Sequence, residues 1–389
     1  MSTPETSPAP AASREESSQR LLSLDAYRGL VMFFLAASGF GIAKAAKLPG
    51  GEWLGGLAFH VEHPEWLSQF KLVGFSLWDM IQPSFMFIVG VSMPYSYAKR
   101  EALGDSFARR ARHAWTRALV LTLLGVFLQS LRAPETNWIF TNVLSQIGLG
   151  YGLLFFLVGK SFRLQALVGG AVLALYWLVF VVYPAPEPGL AAHFAKDTNA
   201  AAAFDRWFLN LFPRSKPFEN NAGGYCTLNF VPSFVTMLMG VMGGQVLKNE
   251  ALSGFEKVRR LAIGGAACLA AGVVFGLTLC PVVKRIWTPS WTLFAGAYTI
   301  WLLALMYWAI DLRGWKRWTF PFVVVGLNPI TMYFMGQTMR GWTSSMLHTH
   351  LPGALFAGAK GPIVEALLVV AFFWWICWWM WRNRVFVRI

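Results

Sequence analysis

The residues with the clearest capacity for chemistry lie in one short run near residue 60. This run carries His60, Glu62, His63 and Glu65 beside Trp66. An imidazole titrates at about pH 6.5, so it can act as a general base at neutral pH or accept an acyl group. Neighbouring carboxylates can orient such a ring. The same pattern also fits histidines that make only structural hydrogen bonds, and the spacing leaves both interpretations open.

An apolar segment that begins at about residue 75 follows this run. It contains Asp79, Gln82 and Pro83 near its start, and the rest of it is apolar enough to enter a bilayer. Polar residues inside such a segment indicate a functional site as well as a membrane anchor. Asp79 also fits a carboxylate at a helix N-terminus, which costs little free energy.

The composition of the chain is that of a polytopic membrane protein. Of its 389 residues 56% are hydrophobic and 13% are charged, and the mean hydropathy is +0.48. Soluble domains are about 45–50% apolar and about 25% charged. The four cysteines show neither CxxC spacing nor a metal-type cluster, which predicts buried hydrophobic side chains without a metal or disulfide framework.

We expect an all-α fold with about ten transmembrane helices. Residues 1–21 are rich in Ser, Pro, Ala and Glu and predict a disordered cytoplasmic tail, and residues 22–389 predict one membrane domain. A crossing helix needs roughly 17–25 apolar residues. The windows that meet this length are 28–46, 76–97, 115–131, 138–159, 164–183, 226–247, 259–280, 290–310, 320–340 and 362–381.

The placement of Lys and Arg predicts the orientation. Most of the 33 basic residues fall in segments that share one side if the N-terminus is cytoplasmic, which explains the net charge of +14 without a nucleic-acid partner. Ten spans then place both termini in the cytoplasm. The loops 47–75, 184–225 and 280–291 face the other side, where Trp66, Trp287 and Trp291 provide either stacking surfaces for a sugar or interfacial anchors.

The segment 98–117 is unusually basic and is expected as a cytoplasmic loop. Its charge fits a determinant of orientation that is attracted to anionic lipid. It also fits a binding surface for the phosphates of a cofactor, because Arg binds phosphate through paired hydrogen bonds. The sequence does not decide between these interpretations.

Six motifs follow one another along the chain. The first is SLDAYRGLVMF at 23–33, and the second is His63-x-x-Trp66 followed by FSLWDMIQPSFMFIVGVSM. The others are NVLSQIGLGYGL at 142–153, TLNFVPSFVTMLMGVMGGQ at 227–245, KRIWTPSWTLFAGA at 284–297 and VVVGLNPITMY at 323–333. In this order they resemble the motifs of the transmembrane heparan-alpha-glucosaminide N-acetyltransferase family and its bacterial relatives, and the resemblance covers most of residues 22–340.

This resemblance implies an enzyme that takes acetyl from cytoplasmic acetyl-CoA and transfers it to an amino sugar or glycan on the extracytoplasmic side of a bacterial inner membrane. It implies His63 as acetyl relay or general base, with Asp79 beside it. It also implies a homodimer and no metal. The implied cofactor contacts are Asp25, Arg28, Gln82 and Asn328, and the implied substrate contacts are Trp66, Lys284, Trp287 and Trp291.

Simpler interpretations stand beside these assignments. Asp25 and Arg28 also fit an ion pair at a helix end, and Asn328 also fits a cap at the break before Pro329. The chain has AASGFG at 36–41, where family members often carry an Asn, which bears on the acceptor. The alternative functions are a sugar transporter without bond chemistry, although paired half-repeats are not evident, and a structural membrane protein.

Overall fold

The computed structural model describes residues 21–63, 66 and 76–387. Within these ranges every regular element is helical, which confirms the all-α fold class. The expected tail at 1–21, except for its last residue, and Glu65 lie outside the described residues.

Fifteen α-helices are described, numbered here in chain order. They are α1 Leu22–Ala36, α2 Ile42–Ala45, α3 Gly55–Phe59, α4 Ile81–Ala102, α5 Phe107–Ser130, α6 Val143–Leu154, α7 Phe162–Val182, α8 Ala200–Phe208, α9 Phe230–Lys248, α10 Gly254–Thr278, α11 Pro289–Met306, α12 Phe320–Leu327, α13 Pro329–Thr338, α14 Arg340–His350 and α15 Gly361–Arg382. A π-helical turn, Tyr307–Leu312, extends α11.

Five of the described helical segments are long and apolar enough to cross a membrane, and up to seven if two bent pairs each count as one span. They are Phe162–Val182, Thr227–Lys248, Gly254–Thr278, Pro289–Leu312 and Gly361–Arg382, with the bent pairs Leu22–Ala36 plus Ser38–Ala45 and Arg317–Leu327 plus Pro329–Thr338. The protein is therefore a helical membrane protein. A total of ten spans and the cytoplasmic termini stay predictions.

The first expected span, 28–46, is not one continuous helix. The chain bends by 40° after α1, and four successive residues from Ser38 to Gly41 have φ values between 48° and 69°. Gly39 and Gly41 adopt this left-handed conformation at little cost, whereas Ser38 and Phe40 are strained in it. This run therefore turns the chain between α1 and α2.

The ninth expected span, 320–340, is also broken. Helices α12 and α13 meet at a bend of 73° between Leu327 and Pro329. Proline lacks a backbone N–H and disfavours helical conformation in the preceding residue, so the break falls at Asn328. The break leaves the side chain of Asn328 as a connector between segments.

Glycines allow the helices that carry the site to touch through their backbones. A Cβ atom at Gly90 of α4 would lie 1.9 Å from the Met237 carbonyl oxygen, and one at Gly240 of α9 would lie 2.1 Å from the Phe87 carbonyl oxygen. No larger residue fits at such contacts, which are common between helices in lipid. This contact fixes α4, whose N-terminal end follows Asp79, against α9.

The basic segment 98–117 is mostly helical, which corrects the expectation of a loop. Helix α4 continues to Ala102 and α5 begins at Phe107. Arg110 pairs with Glu101 and Arg100 with Asp105, each at 3.2 Å. Because these ion pairs satisfy charges at the helix ends, the helices extend into the basic segment.

Three segments that were expected on one side of the membrane meet at one end of the helices. The Trp66 indole donates to the Phe194 carbonyl at 3.0 Å, and Lys284 donates to the Tyr225 hydroxyl at 3.0 Å. These contacts join the segment near residue 60, the long segment 184–225 and the connection between α10 and α11. They frame the site described next.

Candidate active site

The imidazole of His63 is held by a buried carboxylate. Its Nδ1 lies 2.7 Å from Oδ1 of Asp79. An ionised carboxylate only accepts hydrogen bonds, so the proton of this bond sits on Nδ1 and the lone pair of a neutral ring lies on Nε2. The Asp79 side chain has no solvent exposure, whereas 37% of the His63 side chain is exposed. Asp79 therefore fixes the tautomer and orientation of an accessible ring.

A short turn before α4 places Asp79. Residues Leu77–Met80 form a 3₁₀ turn, and the Ser76 hydroxyl caps it by accepting from the Trp78 N–H at 3.0 Å. The same N–H lies 3.0 Å from the His60 carbonyl oxygen. The turn is thus bonded both to its own cap and to the histidine segment, so the two partners of the site move together.

Lys284 approaches the same carboxylate oxygen that His63 contacts. Its Nζ lies 3.7 Å from Oδ1 of Asp79 and 3.5 Å from Nδ1 of His63, and only 3% of the residue is exposed. With the proton on Nδ1, the approach of Lys284 to His63 is a charge contact and not a hydrogen bond. The ammonium balances the buried acid and disfavours a charged imidazole.

The position of Lys284 comes from a turn between α10 and α11. The Thr288 hydroxyl accepts from the Val283 N–H at 3.0 Å, and the Trp287 N–H donates to the Lys284 carbonyl at 3.0 Å. Thr288 also caps α11 through the Trp291 N–H. The turn is therefore rigid and holds the lysine backbone in place.

Tyr225 is a member of the site that the sequence analysis missed. The Lys284 ammonium donates to the Tyr225 hydroxyl oxygen at 3.0 Å and lies 4.9 Å from the centre of its ring. The phenol therefore keeps its own proton available for another acceptor. Its sequence surroundings, NNAGGY at 220–225, carry no recognisable signal.

Burial lowers the pKa of His63 below its ordinary value. The hydrogen bond to Asp79 acts in the opposite direction, and the charge of Lys284 adds to the lowering. The ring is therefore neutral at pH 7, which is the protonation state that a general base or a nucleophile requires.

His63 and Trp78 line both of two cavities at this end of the helices. The smaller one, called here the amide cavity, has a volume of 320 Å³ and also reaches Tyr225 and Lys284. Its lining combines apolar side chains with the amides of Gln82, Gln129, Asn221 and Gln337. The larger one, called here the charged cavity, has a volume of 530 Å³ and is lined by Lys44, Glu62, Arg340 and Glu365 among others. His63 thus lines two cavities, one with mostly apolar and amide side chains and one with charged side chains.

Two of the expected substrate contacts are in the interior instead. Trp287 and Trp291 are 1% and 0% exposed, and the Trp287 indole N–H lies 3.4 Å from the Thr236 hydroxyl. Stacking of a sugar on either ring does not fit this position. The reason is that the turn around Thr288 directs both rings into the helix bundle and away from the membrane surface.

Trp66, a third expected substrate contact, holds segments together. Its indole donates to Phe194, and a Cβ at Gly224 would lie 2.4 Å from its ring. Neither cavity described above includes it in its lining. Lys284 and Gln82, by contrast, line the amide cavity, and their contacts with ligands stay predictions.

The other expected cofactor contacts bind protein groups. Arg28 donates to Asp25 at 2.9 Å and to the Ser92 hydroxyl at 2.8 Å, which ties α1 to α4. The Asn328 side chain donates to the Val385 carbonyl at 3.1 Å and accepts from the Val387 N–H at 3.0 Å. The Arg28 contacts match the simpler interpretation of an ion pair. The Asn328 side chain makes no capping hydrogen bond to α13 and instead joins the helix break to the C-terminal segment, so its interpretation as a cap is wrong.

A family model described as heparan-alpha-glucosaminide N-acetyltransferase, catalytic, matches residues 57–271 of this chain. The match covers more than half of the 389 residues and contains His63, Asp79 and Tyr225. Heparan-alpha-glucosaminide N-acetyltransferase of Homo sapiens is 22% identical over 431 residues, which cover 95% of this chain and 60% of the human protein. The chain therefore spans less than two thirds of the length of that relative. The family predicted from the motifs is confirmed: this chain belongs to the heparan-alpha-glucosaminide N-acetyltransferase family.

Proposed function

We propose that the protein transfers acetyl from acetyl-CoA to the amino group of an amino sugar or glycan, and that His63 is the group that reacts. One observation carries this proposal: a histidine oriented by a buried acid stands at the wall between two cavities. Acyl transfer requires a donor and an acceptor that are both within reach of the base or nucleophile. Membership in an N-acetyltransferase family supports the reaction class.

His63 can serve this reaction in two ways. As a base, Nε2 takes a proton from the amine while the amine nitrogen bonds to the thioester carbonyl carbon, the carbon–sulfur bond breaks, and the proton passes on to the thiolate. As a relay, Nε2 itself bonds to the carbonyl carbon and the thiolate leaves. The amine nitrogen then bonds to the acetyl carbon, the bond from that carbon to Nε2 breaks, and the amine proton passes to the thiolate. In both routes Asp79 stabilises the charge that develops on the ring, and it stays ionised.

The amide cavity suits the thioester end of acetyl-CoA. Its apolar side chains and four amide side chains match the alternating methylene and amide groups of the pantetheine arm. Its 320 Å³ lie at the lower end of the range of about 300–1,000 Å³ for pockets of drug-sized ligands, so the cavity holds only one end of a molecule as large as the coenzyme. Of the expected cofactor contacts, Gln82 is the one that this assignment retains.

Tyr225 and Lys284 belong to the same cavity wall. Negative charge builds on the carbonyl oxygen of a thioester under attack, and preorganised donors stabilise it. Tyr225 has an O–H group to offer, and the Lys284 ammonium behind it strengthens that donor. We assign the oxyanion-stabilising role to Tyr225 and the supporting role to Lys284.

The sidedness of the reaction is part of the proposal. The distribution of Lys and Arg supports ten spans with cytoplasmic termini, which puts His63 on the extracytoplasmic face of a bacterial inner membrane. Labelling with a membrane-impermeant thiol reagent tests this arrangement. Lys216→Cys, in the segment 184–225, is expected to react from outside in intact cells, and Leu103→Cys between α4 and α5 only after lysis. Reversed labelling would overturn the sidedness alone.

Transfer itself is tested with purified protein in proteoliposomes, labelled acetyl-CoA and a panel of amino sugars. His63→Ala is expected to lower transfer by a factor on the order of 10³, as for other general bases or nucleophiles. His60→Ala is the matched control, because His60 is in the same segment but lines neither cavity. We expect it to retain transfer.

Two results would overturn this function. Wild-type protein that neither binds nor consumes acetyl-CoA but moves amino sugars across the bilayer would favour a transporter. Equal loss of transfer in both histidine variants would remove His63 from its special role. Acetylated His63, trapped by rapid acid quenching in the absence of an acceptor, would decide for the relay over the base.

A further inference from the structure

The charged cavity contains two cations that the proposed reaction does not use. Lys44 lies on α2 and Arg340 is the first residue of α14, and both line the 530 Å³ cavity together with His63. Ser38 and Gly41, which have positive φ values of 48° and 69°, line it as well. Strained backbone of this kind is retained where surrounding structure holds it, often at ligand sites.

The two acids of this cavity have hydrogen-bond or ion-pair partners of their own, and the charge of Glu365 also acts on Lys44 and Arg340. Glu62 pairs with Lys47 at 2.8 Å. Glu365 accepts a hydrogen bond from the Ser344 hydroxyl, and its other oxygen lies 3.4 Å from Nε2 of His348. Each carboxylate therefore has a partner of its own next to the cavity.

The cations, in contrast, retain unused hydrogen-bond donors. No described residue accepts a hydrogen bond from the Lys44 ammonium, which interacts with Glu365 only through its charge. Arg340 uses one Nη to donate to the Ala36 carbonyl at 2.6 Å. A guanidinium has five N–H groups in all, so further N–H groups remain for a ligand.

We propose that Lys44 and Arg340 bind an anionic group of the acceptor, so that the preferred acceptors are amino sugars that carry a carboxylate or a phosphate. The inference rests on the proposed function and names its acceptor class. Lysine and arginine donors with no other partner form short, charge-assisted hydrogen bonds to such oxygens. A cavity of 530 Å³ has room for a sugar ring whose amine meets His63 while its anionic substituent meets the cations.

The phosphates of the coenzyme have the same chemistry and are the competing source of an anion. The amide cavity, which reaches Tyr225 and Lys284, is the better match for the thioester, and that leaves the charged cavity to the acceptor. The two sources differ in what the variants change. If the two cations bind the acceptor, their variants change the affinity for the acceptor. If the cations bind the coenzyme, the variants change the affinity for acetyl-CoA.

Binding without transfer separates this inference from the function on which it rests. Wild-type protein in detergent, without acetyl-CoA, is titrated calorimetrically with glucosamine, glucosamine 6-phosphate and muramic acid, which are respectively without an anionic group, phosphorylated and carboxylated. We expect at least one anionic sugar to bind on the order of tenfold more tightly than glucosamine. The difference should shrink as salt is raised, because charge contacts of partly exposed groups are screened.

The variants Lys44→Gln and Arg340→Gln are expected to reduce the affinity for the anionic sugar to that for glucosamine, and to leave acetyl-CoA affinity unchanged. Lys360→Gln is the matched control, since Lys360 is an exposed lysine at the start of α15 and lines neither cavity. Lys44 is exposed, so its variant is expected to fold. Equal affinities for all three sugars, or weakened acetyl-CoA binding in the variants, would overturn the proposal even if transfer is observed.

Discussion

Lys284 and Asp79 form a buried charge pair beneath the imidazole of His63. The Lys284 Nζ lies 3.7 Å from Oδ1 of Asp79, and the two residues are 3% and 0% exposed. No described residue bonds to Oδ2 of Asp79. Loss of either partner leaves an unpaired charge in the interior, which is costly. The free energy of unfolding therefore depends on the presence of both.

Removal of one member of the pair is expected to destabilise the protein strongly. Lys284→Met should lower the free energy of unfolding by about 3–5 kcal/mol, since it leaves the Asp79 carboxylate buried without a counter-charge. The unfolding midpoint in detergent measures this loss. The double variant Lys284→Met with Asp79→Leu should recover most of the stability and remain inactive. Additive losses in the double variant would contradict the coupling.

Tyr225→Phe tests the donor in the amide cavity. Loss of the phenol O–H is expected to lower kcat by a factor on the order of 10² and to change the KM for acetyl-CoA little, because the bond forms only as charge builds on the carbonyl oxygen. Tyr176→Phe is the control, since its hydroxyl donates to the Ile286 carbonyl at 2.8 Å near the same turn. It should cost stability but not kcat. A change in KM alone would assign Tyr225 to binding.

The family and the fold class were accessible from sequence because both depend on local patterns. Apolar windows predict helices in lipid, and the motifs around His63 and Asp79 lie close together in the chain. The structure brings these two side chains into a hydrogen bond. The two helix breaks, after α1 and at Asn328, were harder to predict than the helices themselves. Both lie beside residues that disfavour a continuous helix, namely the glycines near Ser38 and Pro329.

Contacts between distant segments were not accessible in the same way. Lys284 is 221 residues from His63 in the chain, and no local pattern specifies that they meet. Trp287 and Trp291 were expected at the membrane surface, but hydropathy does not distinguish a tryptophan at an interface from one inside a helix bundle. Arg340 carried no signal of its own, since an arginine at the end of an apolar window commonly extends to the membrane interface.

The pH dependence of transfer reports the state of His63. Its pKa lies below the ordinary value, so the fraction of neutral, active imidazole grows as pH rises through a midpoint below about 6.5. The value of kcat/KM for one acceptor should rise with pH in the same way, and this rising part of the pH profile is called here the acid limb. Asp79→Asn removes a group that raises this pKa, so the limb should move to lower pH while kcat falls.

A purely structural role of Asp79 would lower activity without moving the limb. The comparison uses the same acceptor for both proteins, so that titration of the acceptor amine is common to both profiles. A limb that moves to higher pH in Asp79→Asn would contradict the assignment of Asp79 as the partner of the ring.

The carboxyl of Asp205 should make the protein less stable as pH rises. Burial raises the pKa of Asp205 from 3.8 to about 6, although its Oδ2 accepts a hydrogen bond from the Thr227 N–H at 2.9 Å. The folded state therefore binds this proton more tightly than the unfolded state. Its stabilising contribution is complete below about pH 4 and is lost as pH rises to about 6, a change of about 3 kcal/mol.

Asp205→Asn removes this titration and keeps an oxygen that accepts from Thr227. We expect the variant to unfold at a higher temperature than wild type at pH 7.5 and at a similar temperature at pH 4.5, as followed by thermal unfolding in detergent. Glu219→Gln, an exposed acid in the same segment 184–225, is the control and should not change the gap between the two pH values. An equal shift of the Asp205→Asn midpoint at both pH values would mean that the folded protein does not hold the proton, and that packing around Thr227 determines the effect.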